Sequence, residues 1–318
     1  MLNHVNRIFW FDTALYFYLQ TKTYMKKIIF FFLLLLSIQT YAQQKQLAGV
    51  VTRDSLNKTP FNTWFQSYYD AYTPHQKQLD AIPAQAVSST QIEIFFGTWC
   101  GDTKREMPRF FKILDQLKFQ AKQIKLIAVN GDENYKQSPG GETVGKSIYR
   151  VPTFIFYQQG KEIGRIVEHP VESLEADLAK ILTKQTYTPS YPAFVLLDKW
   201  HKEGKLTDPN QSARSLARAI DAAVISSSEL NNFGYVMQAQ QQYAVAEMAF
   251  RIAANLFSDQ PESWSRLANA YLLNGKLKEA DEALNYAFSF QIKPEDMYEF
   301  LDVYYKIRKK KEEKEAKP

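Results

Sequence analysis

The pattern of apolar and polar residues divides the chain into an alternating part and a helical part. Between residues 61 and 183, short apolar runs alternate with segments in which apolar residues recur every three or four positions. Strands are predicted at 91–97, 124–130, 153–159 and 162–168, and helices at 61–82 (interrupted at Pro74), 103–118, 142–149 and 171–183. Strands that alternate with helices favour a parallel-type sheet covered on both faces, to which the last hairpin adds antiparallel strands.

Beyond residue 212 the apolar pattern is helical throughout, and it repeats at an offset of 34 residues. The aligned pairs include Phe233 with Leu267, Gly234 with Ala268, Ala246 with Ala280 and Phe250 with Leu284. Large residues therefore recur where large ones are needed, and small residues recur where helices approach closely. The second copy reads W-x2-LA-x2-Y and then NGKLKEADEAL, and prolines mark its start and its end.

This period and this pattern resemble tetratricopeptide repeats, which implies stacked helical hairpins over residues 213–318. Two repeats are clear, and helices at about 213–227 and 295–311 are expected to complete and cap the stack. The resemblance implies a concave surface that binds a protein or peptide. The alternative is a helical appendage that only stabilises the fold, because a fold alone does not establish a function.

The length of the chain and the composition of its middle indicate two domains. A chain of 318 residues is too long for one typical domain and suits two. Residues 184–212 contain three prolines and a glycine that interrupt regular structure. We therefore expect this segment to be a linker with one helix.

The N-terminal residues carry the pattern of an export signal. From Met25, two lysines precede an apolar run at 28–36, and Ala42 offers a small residue before a cleavage site. We expect residues 25–42 to be a signal peptide and the mature protein to be exported to a periplasmic or other extracytoplasmic space. Residues 1–24 fit this pattern poorly, so we expect translation to begin at Met25. The alternative is a retained N-terminal anchor, although the apolar run is short for a membrane span.

Net charge and cysteine content narrow the classes of function. The formal net charge is +5, and part of the excess lies in the basic run at 306–311, which glutamates follow directly. No basic and aromatic groove pattern accompanies this charge, so nucleic-acid binding is not expected. The histidines form no ligand pair at helical spacing, and the single cysteine excludes an internal disulfide and a cysteine-rich metal site. We expect no metal and no cofactor.

That single cysteine, Cys100, lies in the segment GTWCGDTKREMP, where a predicted strand ends and a predicted helix begins. A thiol at a helix N-terminus meets unpaired backbone N–H groups and the positive end of the helix dipole, and both stabilise the nucleophilic thiolate. Lys104 and Arg105 add positive charge nearby, whereas the carboxylate of Asp102 acts in the opposite direction. Cys100 is therefore the candidate nucleophile.

Several motifs of residues 84–183 resemble the thioredoxin superfamily. The tripeptide Trp99-Cys100-Gly101 matches the family's Trp-Cys-Gly, and Pro108 stands where the family has a helix-kinking proline. The tripeptide Val151-Pro152-Thr153 matches the segment whose proline is cis and faces the cysteine. Gly160 matches the family's hairpin turn. The motifs occur in the right order on the right predicted elements, which makes the resemblance specific.

The resemblance implies an α/β thioredoxin-like domain at residues 45–183, with a central mixed sheet flanked by helices and a core at 84–183. It also implies a shallow groove beside the cysteine, where a substrate peptide pairs with the backbone before the cis proline like an added strand. The residues implied in catalysis are Cys100, Thr103 and Trp99. The residues implied in the groove are Gly101, Asp102, Val151, Pro152 and Thr153.

Two departures from the family limit the chemistry. Thr103 replaces the second cysteine, so this chain holds no thiol that could release a mixed disulfide formed at Cys100, although the threonine hydroxyl could donate a hydrogen bond to the thiolate. Ile94 stands where many thioredoxins bury an aspartate, and Glu93 points to the opposite face of the strand. Proton transfer by that carboxylate is therefore absent.

Two hypotheses follow for the function. In the first, Cys100 acts as a monothiol on protein or peptide clients that carry thiols or disulfides, and an external thiol, such as a low-molecular-weight thiol, resolves the intermediate. In the second, the domain is a redox-inactive adaptor that binds clients through its groove and through the helical repeats. After signal cleavage neither hypothesis requires a stable membrane anchor.

Overall fold

The computed structural model describes residues 46–131 and 136–316. The segments predicted as an upstream start, 1–24, and as a signal peptide, 25–42, lie outside the described residues. The described chain comprises an α/β region, residues 46–183, and a helical region, residues 192–316. The domain boundaries expected from the sequence remain predictions.

Within the described residues, a five-stranded mixed sheet forms the centre of the α/β region. Its strands are β1 (Gly49–Val51), β2 (Thr90–Phe96), β3 (Ile124–Ala128), β4 (Thr153–Gln158) and β5 (Lys161–Val167). They lie in the order β1-β3-β2-β4-β5; β2 and β3 are parallel, and the other neighbouring pairs are antiparallel. The mixed sheet is confirmed, whereas the short edge strand β1 was not predicted by the apolar pattern. Strand β2, which leads to Cys100, is the central strand.

Helices and loops cover both faces of this sheet. The helices of the region are α1 (Arg53–Leu56), α2 (Asn62–Ala71), α3 (Gln76–Leu79), α4 (Ala84–Ser89), α5 (Gly101–Gln116) and α6 (Leu174–Leu182). On one face Ile94 and Phe154 belong to a core that includes α5, and the rings of Phe110 and Phe154 lie 4.2 Å apart. On the other face Phe95 belongs to a smaller core that includes Val151 and contacts Trp99 and Cys100. The same alternation that builds the sheet therefore places its core directly beneath the cysteine.

The helix predicted at 142–149 is wrong. Residues 142–146 form successive turns, in which Val144 N–H donates to the Gly141 carbonyl and Lys146 N–H donates to the Thr143 carbonyl, both over 3.0 Å. Gly141 and Gly145 have φ values of 77° and 70°, which a right-handed helix does not allow. The apolar residue Ile148 of this segment packs against the sheet instead, in the core that contains Phe95.

The helical region consists of helices α7 (Pro192–Lys202), α8 (Ala213–Ile220), α9 (Ser227–Ala239), α10 (Tyr243–Leu256), α11 (Pro261–Leu273), α12 (Leu277–Phe288) and α13 (Met297–Glu315). Helices α9 and α11 begin 34 residues apart, and so do α10 and α12, which confirms the repeat period expected from the sequence. The two copies pack differently in one respect that the sequence explains. A Cβ added to Gly234 would lie 2.5 Å from the ring of Phe250, whereas the second copy has Ala268 and the smaller Leu284 at the two equivalent positions.

The turns within the two repeats share one backbone geometry. Gln241 has φ 59° and Gly275, 34 residues later, has φ 75°. In the first turn Gln242 N–H donates to the Met237 carbonyl over 2.8 Å, and the second turn repeats this bond over 2.9 Å. A residue with a left-handed backbone conformation often ends a helix, and glycine is favoured at that position. Only the second repeat has a glycine there. No helix in the described part of the chain is long and apolar enough to cross a membrane.

Helix α7, within the segment expected to be a linker, joins the two regions. Its Phe194 stacks on Tyr149 of the α/β region with ring centroids 3.4 Å apart, and it contacts Phe233 of α9 at 5.2 Å. Its Ala193 N–H donates to the Glu229 carboxylate of α9 over 3.0 Å. Because Tyr149 belongs to the buried core of the helical region, the two regions share a core.

Candidate functional site

Cys100 occupies the first position before helix α5 and is half-buried. Its backbone is extended, with φ −80° and ψ 131°, and its carbonyl accepts the first helical bond, from Lys104 N–H over 3.1 Å. The side chain turns toward the loop before β4, where the thiol donates to the Val151 carbonyl over 3.2 Å. The structure therefore brings together the two motifs on which the resemblance rested.

The loop opposite Cys100 has the conformation expected from the sequence. The Val151–Pro152 peptide bond is cis, and Val151 and Pro152 are buried. Thr153 begins β4, pairs with Val167, and donates from its hydroxyl to the Arg150 carbonyl over 2.7 Å. These bonds hold the Val151 carbonyl in its position beside the thiol.

Trp99 is fixed beside the cysteine by one hydrogen bond and by two glycines. Its indole N–H donates to the Val129 carbonyl at the end of β3 over 3.2 Å. A Cβ added to Gly97 or to Gly131 would lie 2.5 or 2.6 Å from the indole ring. Glycine at both positions therefore lets the ring lie flat against the ends of two parallel strands, next to Cys100.

Thr103 is fully buried beneath the site. Its hydroxyl accepts a hydrogen bond from Gly97 N–H over 3.4 Å, while the Cys100 thiol donates to Val151 instead. Threonine thus stands at the position of the family's second cysteine and bonds to the turn that precedes Cys100. Hydrogen bonding from this hydroxyl to a thiolate remains a prediction.

The first turn of α5 carries a paired set of charges. Asp102 accepts from the Arg105 guanidinium over 2.7 Å, and the same guanidinium contacts Glu106 at 2.6 Å. These acceptors raise the pKa of Arg105, with the Glu106 hydrogen bond as the main cause. The carboxylate of Asp102 is therefore offset by Arg105 rather than left to oppose a thiolate. Gly101, the first helical residue, is exposed and has open space where a side chain would stand.

Ile94 of strand β2 stands where many thioredoxins bury an aspartate, and the structure places it in an apolar core. Ile94 is fully buried in the core under α5. Glu93 lies on the opposite face, where it contacts the Lys146 ammonium at 2.8 Å and accepts from the Tyr157 hydroxyl over 2.9 Å. Neither residue offers a buried acid beside the cysteine.

A cavity of about 230 Å³ opens at the cysteine. Its lining residues come from both regions of the chain and are Trp99, Cys100, Lys136, Arg150, Val151, Glu168 and Asn232. Burial and the neighbouring Arg150 lower the pKa of Lys136 to about 8, while Cys100 and Glu168 act in the opposite direction. A lysine with this pKa changes its protonation state near the pH at which thiols react.

A network centred on Glu168 attaches the helical region to this cavity. Glu168 accepts from the Arg150 guanidinium over 2.9 Å and also accepts from the Tyr191 hydroxyl. The same guanidinium lies 4.9 Å from the centre of the Tyr191 ring and donates to the Ser228 hydroxyl of α9 over 3.3 Å. Burial and the bond to Glu168 raise the pKa of Tyr191, so its phenol remains a donor.

Sequence reasoning missed four residues of this cavity. Arg150 directly precedes the Val-Pro-Thr motif, and Glu168 is the last residue of a predicted strand, so their positions in the sequence were usable signals. Lys136 stood in a loop that was read only as polar and glycine-rich. Asn232 had no sequence signal at all, because its place at the cysteine depends on how the two regions pack.

The sequence of the α/β region matches one known family. The family described as Thioredoxin has a sequence profile that matches residues 83–184. Residues 83–184 are a thioredoxin domain. The thioredoxin domain therefore contains the sheet from β2 onward, the cysteine, the cis-proline loop and helix α6.

A curated relative supports the same assignment. The mitochondrial Thioredoxin-2 of Schizosaccharomyces pombe is 35% identical over 96 residues, which are 30% of this chain and 65% of that protein. The match thus spans less than two thirds of the relative's length and leaves the helical region of this chain outside it.

Solved structures of low similarity match part of the chain. A Yersinia enterocolitica type III secretion chaperone, SycD, in complex with a peptide of the translocator YopD is 23% identical, with a TM-score of 0.27, over 38% of this chain and 92% of that chain. A type III secretion complex from Aeromonas hydrophila is 18% identical, with a TM-score of 0.28, over 39% of this chain and 82% of that chain. At these scores neither likeness bears on the fold or function of this chain.

Proposed function

We propose that this chain is an exported protein of the thioredoxin family that carries out thiol–disulfide exchange through Cys100 as a monothiol. The observation that carries the proposal is the position of the Cys100 thiol. It lies 3.2 Å from the Val151 carbonyl, beside the cis proline and at the N-terminus of α5. A sulfur at this position is open to a client on one side and is held by fixed backbone groups on the other.

The first step forms a mixed disulfide. The Cys100 thiolate attacks one sulfur of a client disulfide, a bond forms between the two sulfurs, and the client's own S–S bond breaks. The client's other sulfur leaves as a thiolate and takes a proton. The exchange conserves the number of disulfide bonds and needs no cofactor.

The second step requires a thiol from outside the chain. Thr103 has no sulfur with which to resolve the intermediate, and it is bonded to the backbone of Gly97. The thiolate of a low-molecular-weight thiol or of a client cysteine attacks the client sulfur of the mixed disulfide. Cys100 then leaves as a thiolate, and the client leaves with a disulfide to the low-molecular-weight thiol or, where its own cysteine attacks, with a disulfide within the client.

Lys136 is proposed to carry out the proton transfer for which the family's buried carboxylate is missing, and to add a positive charge beside Cys100. It lines the same cavity as Cys100, and as an ammonium it stabilises a neighbouring thiolate. A pKa of about 8 also allows it to give a proton to a leaving thiolate and to recover the proton from water. The mechanism therefore assigns proton transfer to the loop after β3 rather than to strand β2.

Clients of this site are proposed to be extended peptides that also meet the helical repeats. The backbone before Pro152 offers an edge for strand-like pairing, and Asn232 of α9 lines the cavity beside it. A client that reaches Cys100 therefore approaches a surface formed by both regions.

One observation favours a second candidate, the redox-inactive adaptor. The buried Thr103 hydroxyl takes part in the turn before Cys100, so the site is stable without a second sulfur. In this case the groove beside Cys100 and the helical repeats bind clients, and Cys100 contributes only to packing. Capture of the same partners by the wild type and by Cys100→Ser would favour this candidate. Partners held by reducible bonds that vanish in Cys100→Ser would favour exchange.

The test of the proposal uses hydroxyethyl disulfide as substrate and glutathione as the external thiol. Exchange predicts substrate reduction that depends on both glutathione and Cys100. The matched control is Cys100→Ser, which replaces the sulfur with oxygen and keeps the side chain's size. Equal rates for the two proteins would contradict the proposal. Export is tested separately by N-terminal sequencing of the protein from the extracytoplasmic fraction, and we expect the mature chain to begin near Gln43.

A further inference from the structure

Charged side chains line the cavity at Cys100 on several sides. Among the described lining residues, Lys136 and Arg150 are cations and Glu168 is a carboxylate. The remaining lining residues carry no charge and are Trp99, Val151 and Asn232. Cys100 itself contributes a negative charge only while its sulfur is a thiolate. The charges of these residues therefore balance when Cys100 is a thiolate.

Fixed contacts hold both cations at the cavity. The backbone N–H of Lys136 donates to the Asn130 carbonyl over 3.1 Å, which anchors the lysine just beyond β3. The Arg150 guanidinium donates to one oxygen of Glu168 over 2.9 Å, and the other oxygen of Glu168 accepts from the Tyr191 hydroxyl. Both oxygens of this carboxylate are therefore already engaged, and the positive charge beside the sulfur is part of the built site.

Formation of the proposed mixed disulfide disturbs this balance. The new S–S bond removes the negative charge of the Cys100 sulfur, while the three charged side chains around it keep theirs. One positive charge then remains in excess among the described lining residues. Burial and the like charge of Arg150 lower the pKa of Lys136 to about 8, and Cys100 acts in the opposite direction, so loss of the thiolate makes the ammonium form less stable. An anion that arrives with the client's sulfur would restore the balance.

We propose that this cavity is a carboxylate subsite, which selects thiols and disulfides that carry a carboxylate group close to the reacting sulfur. The inference rests on the proposed exchange at Cys100 and names the chemistry of its substrates. The carboxylate pairs with the Lys136 ammonium and lies in the field of the Arg150 guanidinium, and Asn232 adds an amide from the helical region. Its source is an acidic side chain beside the client's cysteine or the acid group of the external thiol, and both present the same chemistry to the cavity.

Two activated disulfides test the subsite without requiring turnover. Pyridyldithiopropionate and its amide, pyridyldithiopropionamide, differ only in the charge of the group that would enter the cavity. The Cys100 thiolate attacks the propionyl sulfur, the S–S bond to the pyridine ring breaks, and the leaving pyridinethiolate takes a proton. Near neutral pH we expect the carboxylate reagent to modify Cys100 about fivefold faster than the amide, after division by their rates with the uncharged thiol 2-mercaptoethanol. The same ratio for Cys100 and for 2-mercaptoethanol would overturn the inference.

The two adducts give a second readout that does not depend on a rate. In the carboxylate adduct we expect the pKa of Lys136 to be higher by at least about 1 than in the amide adduct, because a nearby carboxylate favours the ammonium form. NMR of ¹³C-methylated lysines measures both pKa values, and the signal lost in Lys136→Arg is that of Lys136. Equal pKa values would overturn the subsite while leaving Cys100 reactive. A Cys100 that forms neither adduct would contradict the proposed exchange, and this inference with it.

A matched pair of variants tests the residue. Lys136→Met should reduce the preference for the carboxylate reagent to less than about twofold, because the cation next to the sulfur is gone. Lys122→Met removes an exposed positive charge outside the cavity and should keep the full preference. Circular dichroism confirms that both variants are folded. A preference that is equal in the two variants would contradict the role of Lys136 in the subsite.

The source of the carboxylate is tested in two arms. In the first, client peptides with a disulfide and either Glu or Gln beside the cysteine are compared as substrates. In the second, mercaptopropionate and mercaptopropionamide are compared as resolving thiols at equal thiolate concentration. A preference for the acid in the first arm assigns the subsite to clients, and one in the second arm assigns it to the external thiol. No preference in either arm would contradict the carboxylate subsite.

Discussion

The Arg150 guanidinium donates a hydrogen bond to the Ser228 hydroxyl over 3.3 Å, and this bond links the cis-proline loop to the first helix of the repeats. Arg150 is two residues from Pro152, and Ser228 is one turn from Asn232, which lines the cavity at Cys100. The helical region therefore forms part of the wall of the cysteine site.

Replacement of Arg150 tests this link. Arg150→Met removes the 2.9 Å ion pair of Glu168, whose side chain is only 12% exposed, so we expect a loss of about 2–3 kcal/mol in the free energy of unfolding. Urea unfolding followed by circular dichroism measures it. Arg150→Met/Glu168→Gln removes the carboxylate charge as well and should recover part of the loss. A single variant as stable as the wild type would show that the network contributes nothing to the fold.

Introduction of a second cysteine tests the role of position 103. Thr103→Cys restores the family's pair of cysteines at a buried position three residues after Cys100. We expect an intramolecular disulfide to form and trapped mixed disulfides with clients to disappear, because the new thiol releases them. Mass spectrometry of the oxidised protein and non-reducing gels check both effects. Thr103→Ser keeps the hydroxyl and is the control. Persistent mixed disulfides in Thr103→Cys would contradict the proposed geometry.

Removal of the lysine charge tests the electrostatics of the cavity. At neutral pH Lys136 carries its proton, because its pKa is about 8, and its charge favours the thiolate. Lys136→Met should therefore slow the alkylation of Cys100 about fivefold near neutral pH, which corresponds to about 1 kcal/mol. The difference should fade above about pH 8, where the wild-type lysine loses its charge. Lys136→Arg keeps its positive charge at all of these pH values, so this variant should not slow the alkylation of Cys100 near neutral pH. Equal rates for the wild type and Lys136→Met would remove this residue from the mechanism.

The two repeat turns allow a matched pair of substitutions. Gln241 holds a left-handed conformation with φ 59°, which costs a non-glycine residue about 1 kcal/mol, whereas Gly275 holds the same conformation freely. Gln241→Gly should therefore raise the free energy of unfolding by up to about 1 kcal/mol, and Gly275→Gln should lower it by about the same amount. Urea unfolding of both variants measures the two shifts. Shifts of the same sign would show that the turns are not equivalent.

Much of the fold could be predicted because its signals are local. The apolar runs of β2 and β4 and the motifs around Cys100 and Pro152 depend on neighbouring residues, and the structure brings the two motifs within hydrogen-bond distance. The 34-residue period likewise appears in the sequence because each repeat must bury the same positions. Local patterns were misleading at 142–149, where glycines with positive φ prevent the helix that the apolar spacing indicated.

The cavity itself could not be predicted, because its composition depends on contacts between distant segments. Asn232 lies more than 100 residues beyond Cys100 in the sequence and reaches the site only through the packing of α9. The pKa of Lys136 depends on burial and on Arg150, which the sequence does not place beside it. A single sequence also gives no sign that α7 joins the two regions through a shared core.

The central claim is that Cys100 exchanges disulfides and that an external thiol completes the cycle. The most direct measurement follows hydroxyethyl disulfide reduction by the purified protein while glutathione is varied, with mass spectrometry of the protein during turnover. The account predicts a rate that rises with glutathione, a single mixed disulfide on Cys100, and loss of both in Cys100→Ser. A rate no higher than that of Cys100→Ser, with no adduct on the cysteine, would contradict it.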